Sequence, residues 1–387
     1  MSTHEILILG GHHSGINVAH YLLRHVIPKV SKLSPSTSYH VTIVTPNTEF
    51  YWNIAAPRLL VSESLIPEEK VFLPIAKEFA SYDSAQFTLV TGKATALDPE
   101  KKTVTISNGE KITYSSLVIA TGSYFTSPVW QLNESEVKLK SEISAMRKAL
   151  QNAKTVLIAG GGAIGVETAG EVGTQFPKHD TTILSGGARL LPKLVPANSA
   201  AAESRLKALG VKTVNGVKVS SSTKNADGTT TVTLDDGSSK TVDVFIDATG
   251  PKPNSSFLPQ SWLNSTGHVV TDDKTCRTDK PGIYAIGDVA SYSSGSVIDA
   301  NNSVAPLGTS IGIDLAKAAG PGNEKLFTQK EFKPIKDTQF VPTGPSGGVG
   351  QLMGWKLPSL TVWLAKSRTY FVWMAQGAVE GGGVKKP

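Results

Sequence analysis

The sequence contains a single cysteine, Cys276, among 387 residues. One cysteine excludes an intrachain disulfide, a Cys-x-x-Cys redox pair and a thiolate metal cluster. No apolar run approaches the roughly 18 residues that a membrane-spanning helix needs. The formal net charge is +6, but the basic residues are scattered and form no run of five or more. This pattern favours a mildly basic enzyme that binds anionic cofactors over a nucleic-acid-binding protein, so we expect no nucleic-acid partner.

Hydrophobic residues make up 40% of the chain and charged residues 18%, with 36 glycines spread throughout. This composition is typical of a globular α/β protein, and the length exceeds one ordinary domain of about 100–200 residues. The first predicted strand begins at residue 5 and leads into a glycine turn without the pattern of a secretory signal. We therefore expect a cytoplasmic protein that is not secreted, with peripheral attachment to membranes or lipid droplets left open.

The clearest motif lies in the middle of the chain, at residues 156–172. Four apolar residues, 156–159, predict a strand that is buried on both faces. Gly160, Gly162 and Gly165 follow with G-x-G-x-x-G spacing, ahead of a helical pattern. The first glycine permits a tight turn, the second lets the backbone approach a pyrophosphate, and the third lets helix and strand pack closely. The stretch therefore predicts a Rossmann-type dinucleotide site.

A less regular copy of this motif opens the chain. Gly10 and Gly15 fit the first and third glycine positions, but His12 stands where the second glycine is expected. We expect the His12 imidazole to crowd a pyrophosphate or to contact it sideways. His12 and His13 predict no metal site, because adjacent side chains at a turn point apart and no acidic or thiol partner is nearby.

Thr45 and Arg58, which both follow the first glycine motif, bear on how a dinucleotide would be held. Thr45 ends the next predicted strand, where an acidic residue usually holds the adenosine ribose, so the ribose contact must come from a hydroxyl, an amide or the backbone. Arg58 follows an aromatic-rich stretch. A buried arginine needs a partner, and we interpret that partner as a cofactor phosphate, with a surface salt bridge as the alternative.

An internal repeat organises the whole chain. Short predicted strands lead to Ala-Thr-Gly at residues 120–122, and the same tripeptide recurs at residues 248–250. Two halves of this kind predict two nucleotide-binding domains, the second inserted into the first. The expected divisions are 1–125 and 252–330 for the two parts of the first domain, 126–251 for the second, and 331–387 for a C-terminal interface or acceptor-site segment.

The pattern T-x6-A-x-G-D at residues 278–288 completes a resemblance to the flavoprotein disulfide-reductase superfamily, which has two dinucleotide-binding domains. The resemblance implies a glutathione-reductase-like α/β fold and implies that Asp288 binds the ribityl hydroxyls of FAD. It also predicts that the helix over 303–317 directs its N-terminus at the flavin, where its dipole stabilises negative charge. The cysteine pair of the disulfide reductases is missing, so electrons must pass directly to an external acceptor.

The tail at residues 341–372 resembles the apoptosis-inducing-factor-like, ferroptosis-suppressor-like family, through GGVGQ at 347–351 and LAKSR at 364–368. The resemblance covers essentially the whole chain. It implies an NAD(P)H:quinone oxidoreductase that uses FAD, in some members 6-hydroxy-FAD, and a small quinone-like acceptor. Cofactor contacts are expected at Gly10, Gly11, His12, Ser14, Gly15, Arg58, Ala94, Thr121, Gly122, Gly160, Gly162, Gly165 and Asp288.

Two residues are candidates for catalysis. Glu167, just past the third glycine of the second turn, is placed to orient the nicotinamide amide, although a first-turn glutamate is also favoured by the helix dipole alone. The resemblance places Lys366 near the flavin end of the acceptor site, where it would bind the acceptor or deliver a proton. The alternative is a lysine that snorkels from an apolar tail.

Several points stay open at this level. Ser185 stands where NAD-specific sites usually carry an acid, and Arg189 follows it, which favours NADPH. The aromatic tail either packs on the FAD domain, or it docks at a membrane or receives a lipid-like quinone. Two rival functions remain: a flavin oxidoreductase of a specialised metabolite, and a redox-gated signalling or DNA-binding protein. The oligomeric state is not predicted.

Overall fold

The computed structural model describes residues 2–387. The strands are β1 (Ser2–Leu9), β2 (Thr37–Thr45), β3 (Glu49–Tyr51), β4 (Phe72–Pro74), β5 (Phe87–Thr91), β6 (Ala94–Asp98), β7 (Thr103–Ile106), β8 (Lys111–Thr113), β9 (Ser116–Ile119), β10 (Ser123–Tyr124), β11 (Thr155–Ala159), β12 (Asp180–Ser185), β13 (Lys212–Asn215), β14 (Val219–Lys224), β15 (Thr230–Leu234), β16 (Ser239–Val242), β17 (Val244–Asp247), β18 (Lys252–Pro253), β19 (Ile283–Ala285), β20 (Gln339–Pro342), β21 (Gly348–Leu352) and β22 (Trp355–Lys356).

The α-helices are α1 (His13–Tyr21), α2 (Ile27–Leu33), α3 (Ala56–Leu59), α4 (Ile75–Phe79), α5 (Glu136–Asn152), α6 (Ala163–Gln175), α7 (Pro196–Ala208), α8 (Val297–Asn302), α9 (Val304–Ala318), α10 (Ser359–Val362) and α11 (Ala375–Val379). A π-helical turn, Leu22–Val26, joins α1 to α2, and a second, Trp363–Ser367, follows α10. Of the helices formed by residues 2–387, none combines the length and apolarity needed to cross a bilayer.

The first sheet is parallel and has the strand order β19-β9-β1-β2-β5. Its central strand β1 ends in four apolar residues, Ile6 to Leu9, which are at most 1% exposed. Such a strand is covered on both faces, as the apolar run predicts. The edge strand β19 comes from a point in the chain long after the other four strands.

The second sheet is also parallel, with the order β13-β12-β11-β17. Its strands all lie between β9 and β19 in the chain, so this sheet is inserted into the first unit. The short antiparallel pair β10 and β18 joins the two connections between the units. A three-stranded antiparallel meander accompanies each sheet, β6-β7-β8 with the first and β14-β15-β16 with the second. The predicted α/β fold with two Rossmann-like parallel sheets is confirmed.

The C-terminal segment forms the antiparallel sheet β20-β21-β22 and the short helices that follow it. It packs tightly on α6, since a Cβ atom at Gly170 would lie 2.4 Å from the backbone nitrogen of Gly344. Further along, Tyr370 is fully buried in the same apolar cluster as Ile8 and Ile158 of the two central strands. Trp52 Nε1 of the first unit also donates to the carbonyl oxygen of Tyr370 at 2.9 Å. The segment therefore packs against both nucleotide-binding units.

Candidate functional site

A cavity of about 970 Å³ lies where the two units and the C-terminal segment meet. This volume is at the upper end of the range of about 300–1,000 Å³ found for ligand sites. The cavity begins at the carboxyl end of β1, which is the edge where open α/β sheets bind their ligands. Of the residues predicted from sequence, these line it: Gly10, Gly11, His12, Ser14, Ala94, Thr121, Gly122, Glu167, Asp288 and Lys366.

The remaining predicted residues do not line this cavity; they are Gly15, Arg58, Gly160, Gly162 and Gly165. The three glycines of the second turn are not among the lining residues, while their neighbours Ala163 and Ile164 face the cavity. The second turn is therefore adjacent to the cavity, and the structure brings both glycine motifs to one place.

The first glycine turn is shaped by close backbone contacts. Gly10 has φ +117°, and a Cβ atom there would lie 2.2 Å from the carbonyl oxygen of Ala120. A Cβ at Gly15 would lie 1.8 Å from the oxygen of Gly10. Gly11 packs on Thr45, whose Cβ would be 2.7 Å from a Cβ at position 11. Because only glycine fits these positions, the backbone at the start of α1 stays open to a dinucleotide.

His12 is the residue that precedes α1. Its Nε2 lies 2.7 Å from the carbonyl oxygen of Tyr51, so this nitrogen donates, and its ring stacks on Phe50 at 4.7 Å. Burial lowers the pKa of His12 to about 4, although the hydrogen bond to Tyr51 raises it. The imidazole is therefore neutral at physiological pH, and His12 lines the cavity. Its sideways contact with a pyrophosphate stays a prediction.

Asp288 follows β19 in a short 3-10 turn, Gly287–Val289. One of its carboxylate oxygens accepts a hydrogen bond from Ser123 Oγ at 3.0 Å. Burial raises the pKa of Asp288, and the Ser123 hydroxyl opposes this shift. A carboxylate at a cavity wall with hydroxyl partners has the chemistry required to accept hydrogen bonds from a polyol chain.

The two candidate catalytic residues form an ion pair. Lys366 Nζ lies 2.5 Å from Glu167 Oε1 and donates a second hydrogen bond to the carbonyl oxygen of Phe340 at 3.3 Å. The side chains are 13% and 3% exposed, respectively. Burial raises the pKa of Glu167 to about 7, and the neighbouring Lys366 ammonium lowers it. A carboxyl group with this pKa can hold or release a proton near neutral pH.

Arg58 has a protein partner. Its Nε and Nη2 donate to the two carboxylate oxygens of Glu171 at 3.0 and 2.7 Å, and its Nη1 donates to the carbonyl oxygen of Arg368. The guanidinium also lies over the ring of Tyr370, whose hydroxyl donates to Glu171 at 3.2 Å. Arg58 therefore makes a buried bidentate pair with Glu171 and no surface salt bridge. It does not line the cavity, and its contact with a cofactor phosphate stays a prediction.

The second glycine turn repeats the backbone of the first. Gly160 has φ +119°, and its Cβ would lie 2.3 Å from the oxygen of Ala248. Gly162 is exposed, and a Cβ atom there would meet nothing within 4 Å. Arg189, which favoured NADPH in the sequence, donates to Ser199 Oγ at 2.8 Å and to the carbonyl oxygen of Pro192 at 3.1 Å.

Sequence reasoning missed one feature of the cavity. His13 faces it with both ring nitrogens unpaired among residues 2–387, although the sequence pointed to this histidine only as a candidate metal ligand. Residues of the C-terminal segment, which was expected to form an interface or acceptor site, also reach the cavity, among them Phe340, Phe371, Trp373 and Met374. Within residues 2–387, no group of three or more His, Cys, Asp or Glu side chains is placed to hold a metal ion.

Comparison with known proteins gives consistent results. The family model described as pyridine nucleotide-disulphide oxidoreductase matches residues 4–319. The chain is 36% identical to oxidoreductase phnG of Penicillium herquei, over 98% of this chain and 97% of the relative. It is 32% identical to oxidoreductase ptaL of Pestalotiopsis fici over 90% and 100%. Ferroptosis suppressor protein 1 of Homo sapiens is 26% identical over 95% and 94%.

Solved structures share the fold. A NAD-dependent persulfide reductase from A. fulgidus has a TM-score of 0.67 at 19% identity, covering 90% of this chain and 64% of its own. A water-forming NADH oxidase from Lactobacillus brevis has a TM-score of 0.63 at 21% identity, covering 80% and 69%. With the family match and the two glycine turns, these findings show that the chain belongs to the pyridine nucleotide-disulphide oxidoreductase family of FAD- and NAD(P)H-binding flavoproteins.

Proposed function

We propose that the protein is an FAD-dependent NAD(P)H oxidoreductase that reduces a quinone-like acceptor. The observation that carries this proposal is the ion pair between Glu167 and Lys366, at a cavity wall that the aromatic C-terminal segment completes. When bound, FAD takes up a hydride from a nicotinamide and returns its electrons to a second substrate. The chain holds the cofactors, excludes water and manages the proton.

The residues around the first glycine turn fit FAD. The open backbone from Gly10 to Gly15 would hold the pyrophosphate, because the first turn of α1 carries unpaired N–H groups and a positive dipole end. Asp288 would accept hydrogen bonds from the ribityl chain, while Ala94, Thr121 and Gly122 line the same cavity. Val304, the first residue of α9, also faces it, so this longer helix directs its N-terminus inward.

The second glycine turn would hold NAD(P)H. Its helix α6 carries Glu167 one turn beyond the N-terminus, and Ala163 and Ile164 of the same helix face the cavity. A nucleotide bound at residues 160–165 would therefore direct its nicotinamide towards the space in front of the first turn. The Glu167 carboxyl would accept a hydrogen bond from the carboxamide group and so orient the ring.

Lys366 would act on the acceptor. Its ammonium would donate to a carbonyl oxygen and stabilise the negative charge that develops there as electrons arrive. Reducing a quinone to a quinol takes two electrons and two protons. NAD(P)H supplies the electrons with one proton, as a hydride, and the second proton comes from solvent through Glu167, whose pKa of about 7 suits this relay.

A thiol relay has no place in this arrangement. Cys276 is fully buried, does not line the cavity, and has φ +60°. Burial raises the pKa of its thiol to about 12, so the thiolate that disulfide exchange requires is not formed.

Stopped-flow spectroscopy tests the proposal. The flavin should be reduced by NADH or NADPH and then reoxidised faster by benzoquinones and naphthoquinones than by dioxygen. Lys366→Met should slow reoxidation by quinone at least about tenfold, because it removes a charge-assisted hydrogen bond to the developing anion. Lys356→Met is the matched control, since Lys356 is exposed on β22 and outside the cavity. If quinones reoxidise the flavin no faster than dioxygen, the acceptor is another class of molecule.

A further inference from the structure

His13 is a buried histidine with no visible partner. It is 7% exposed, and neither of its ring nitrogens has a hydrogen-bond partner among residues 2–387. Leaving a buried polar group unpaired costs about 1–3 kcal/mol. His20, on the same helix, shows the usual solution: its Nε2 donates to the carbonyl oxygen of Val379 at 3.0 Å and its Nδ1 lies 2.9 Å from the Tyr82 hydroxyl.

The position of His13 shows what kind of group it lacks. It is the first residue of α1, a helix that starts with no side-chain cap and no acidic residue in its first turn. The ring lies edge-on to Phe50 at 4.9 Å and to Trp52 at 5.4 Å, and it faces the cavity beside Gly11 and Ser14. A helix N-terminus with an unpaired imidazole beside it is a site for an anion.

The protonation state of His13 is compatible with such a ligand. Burial lowers the pKa of His13 well below its usual value, and neighbouring His12 lowers it further. A neutral imidazole keeps one N–H donor. His12 cannot replace it, because the Nε2–H of His12 is already donated to Tyr51.

We infer that His13 donates a hydrogen bond to the pyrophosphate of the FAD held at the first glycine turn. The turn thus uses a side-chain donor from the first helical residue, in addition to backbone N–H groups. This inference concerns how the cofactor is held and does not depend on the identity of the acceptor.

The test compares His13→Phe with wild type, using the full-length protein stripped of flavin and titrated with FAD. Phenylalanine keeps the edge-on packing and removes both nitrogens. A lost hydrogen bond to a charged group predicts FAD affinity about 10- to 100-fold weaker. The visible absorbance bands of the bound flavin should be unchanged, because the contact is to phosphate. The flavin-free variant should be at least as thermostable as wild type, since an unpaired polar group has been removed.

His13→Gln and His20→Phe complete the design. His13→Gln keeps a side-chain N–H donor and should recover part of the affinity. His20→Phe removes an equally buried histidine whose nitrogens are paired within the protein, so it should lower the melting temperature and leave FAD affinity unchanged. The inference is overturned if His13→Phe changes FAD affinity less than threefold, or if it shifts the flavin absorbance bands, which would place the imidazole against the ring system.

Discussion

The glycine turns at residues 10–15 and 160–165 have nearly the same backbone and different surroundings. The φ angles of Gly10 and Gly160 are +117° and +119°. A Cβ at the third glycine of either turn would lie 1.8 Å from the oxygen of the first. Even the strand ends match, because Gly11 packs on Thr45 as Gly161 packs on Ser185. The backbone therefore specifies a dinucleotide site in both places and does not distinguish the two ligands.

The residues that pack around each turn do distinguish the two ligands. At the first turn, the ring of Phe50 stacks on His12 and that of Trp52 packs edge-on against His13. The C-terminal segment reaches the helix of this turn through Asn17, whose amide donates to the carbonyl oxygen of Ala378. In the second turn Gly162 is exposed, and no atom lies within 4 Å of where its Cβ would be. A covered site suits a cofactor that stays bound, and an open site suits one that exchanges at every turnover.

The largest expected effect comes from making the same glycine-to-alanine substitution in both turns. Gly10→Ala and Gly160→Ala each put a Cβ against a carbonyl oxygen. The positive φ adds a backbone strain of about 1–3 kcal/mol to this clash. We expect Gly10→Ala to purify without flavin. Gly160→Ala should retain flavin, with reduction by NAD(P)H about 100-fold slower at limiting nucleotide. The flavin-to-protein absorbance ratio and stopped-flow reduction measure these effects.

Gly162→Ala is the matched control, because its Cβ meets no protein atom and the fold should be unaffected. It should raise the KM for NAD(P)H only a few-fold, since the new methyl group meets the nucleotide alone. If Gly160→Ala loses flavin as completely as Gly10→Ala, the two turns do not serve separate ligands.

The sequence predicted the features that depend on local pattern. Strand, turn and helix at both glycine motifs follow from spacing and apolar runs. Glu167, chosen from its place after the second turn, and Lys366, chosen from the family resemblance, lie together at the cavity. The partners of buried polar groups could not be read in this way. Arg58 meets Glu171 across 113 positions of the chain, and the orientation of the His12 ring depends on Tyr51. Such contacts are decided by how the units pack, which no local pattern encodes.

A second prediction concerns the contact that joins the two units. Arg58 belongs to α3 of the first unit and Glu171 to α6 of the second, and the side chains are 5% and 1% exposed. Glu171→Leu leaves the guanidinium buried without its carboxylate, so we expect the free energy of unfolding to fall by about 3–5 kcal/mol. Urea denaturation of the holoenzyme measures this loss in the free energy of unfolding.

The double variant Arg58→Met with Glu171→Leu is the control for this loss. Replacing both charges with apolar groups of similar size is often neutral for stability. Recovery of most of the lost stability in the double variant would show that the isolated charge is what destabilises the single variant. A double variant as unstable as Glu171→Leu would instead show that Arg58 contributes little and that packing around Glu171 is what matters.

The smallest expected effect comes from a residue that can titrate in only one of the two helices that follow the turns. Asn17 and Glu167 both stand two residues after the third glycine of their motifs, and only Glu167 can titrate. Burial raises the pKa of Glu167 from 4.5 to about 7. Between these values the folded protein binds the proton and the unfolded chain does not. The stability that Glu167 contributes is therefore complete below about pH 4.5 and is lost as the pH rises through about 7.

Glu167→Gln should remove this dependence. The melting temperature of wild type relative to Glu167→Gln should fall by about 2–4 °C between pH 4.5 and pH 7.5, and should then stay level. Glu134→Gln is the control with the opposite sign, because a hydrogen bond from Lys138 lowers the pKa of this exposed carboxyl, and solvent screening keeps its effect small. A flat difference for Glu167→Gln would mean that Glu167 stays ionised beside Lys366, and that the proton for the acceptor enters by another route.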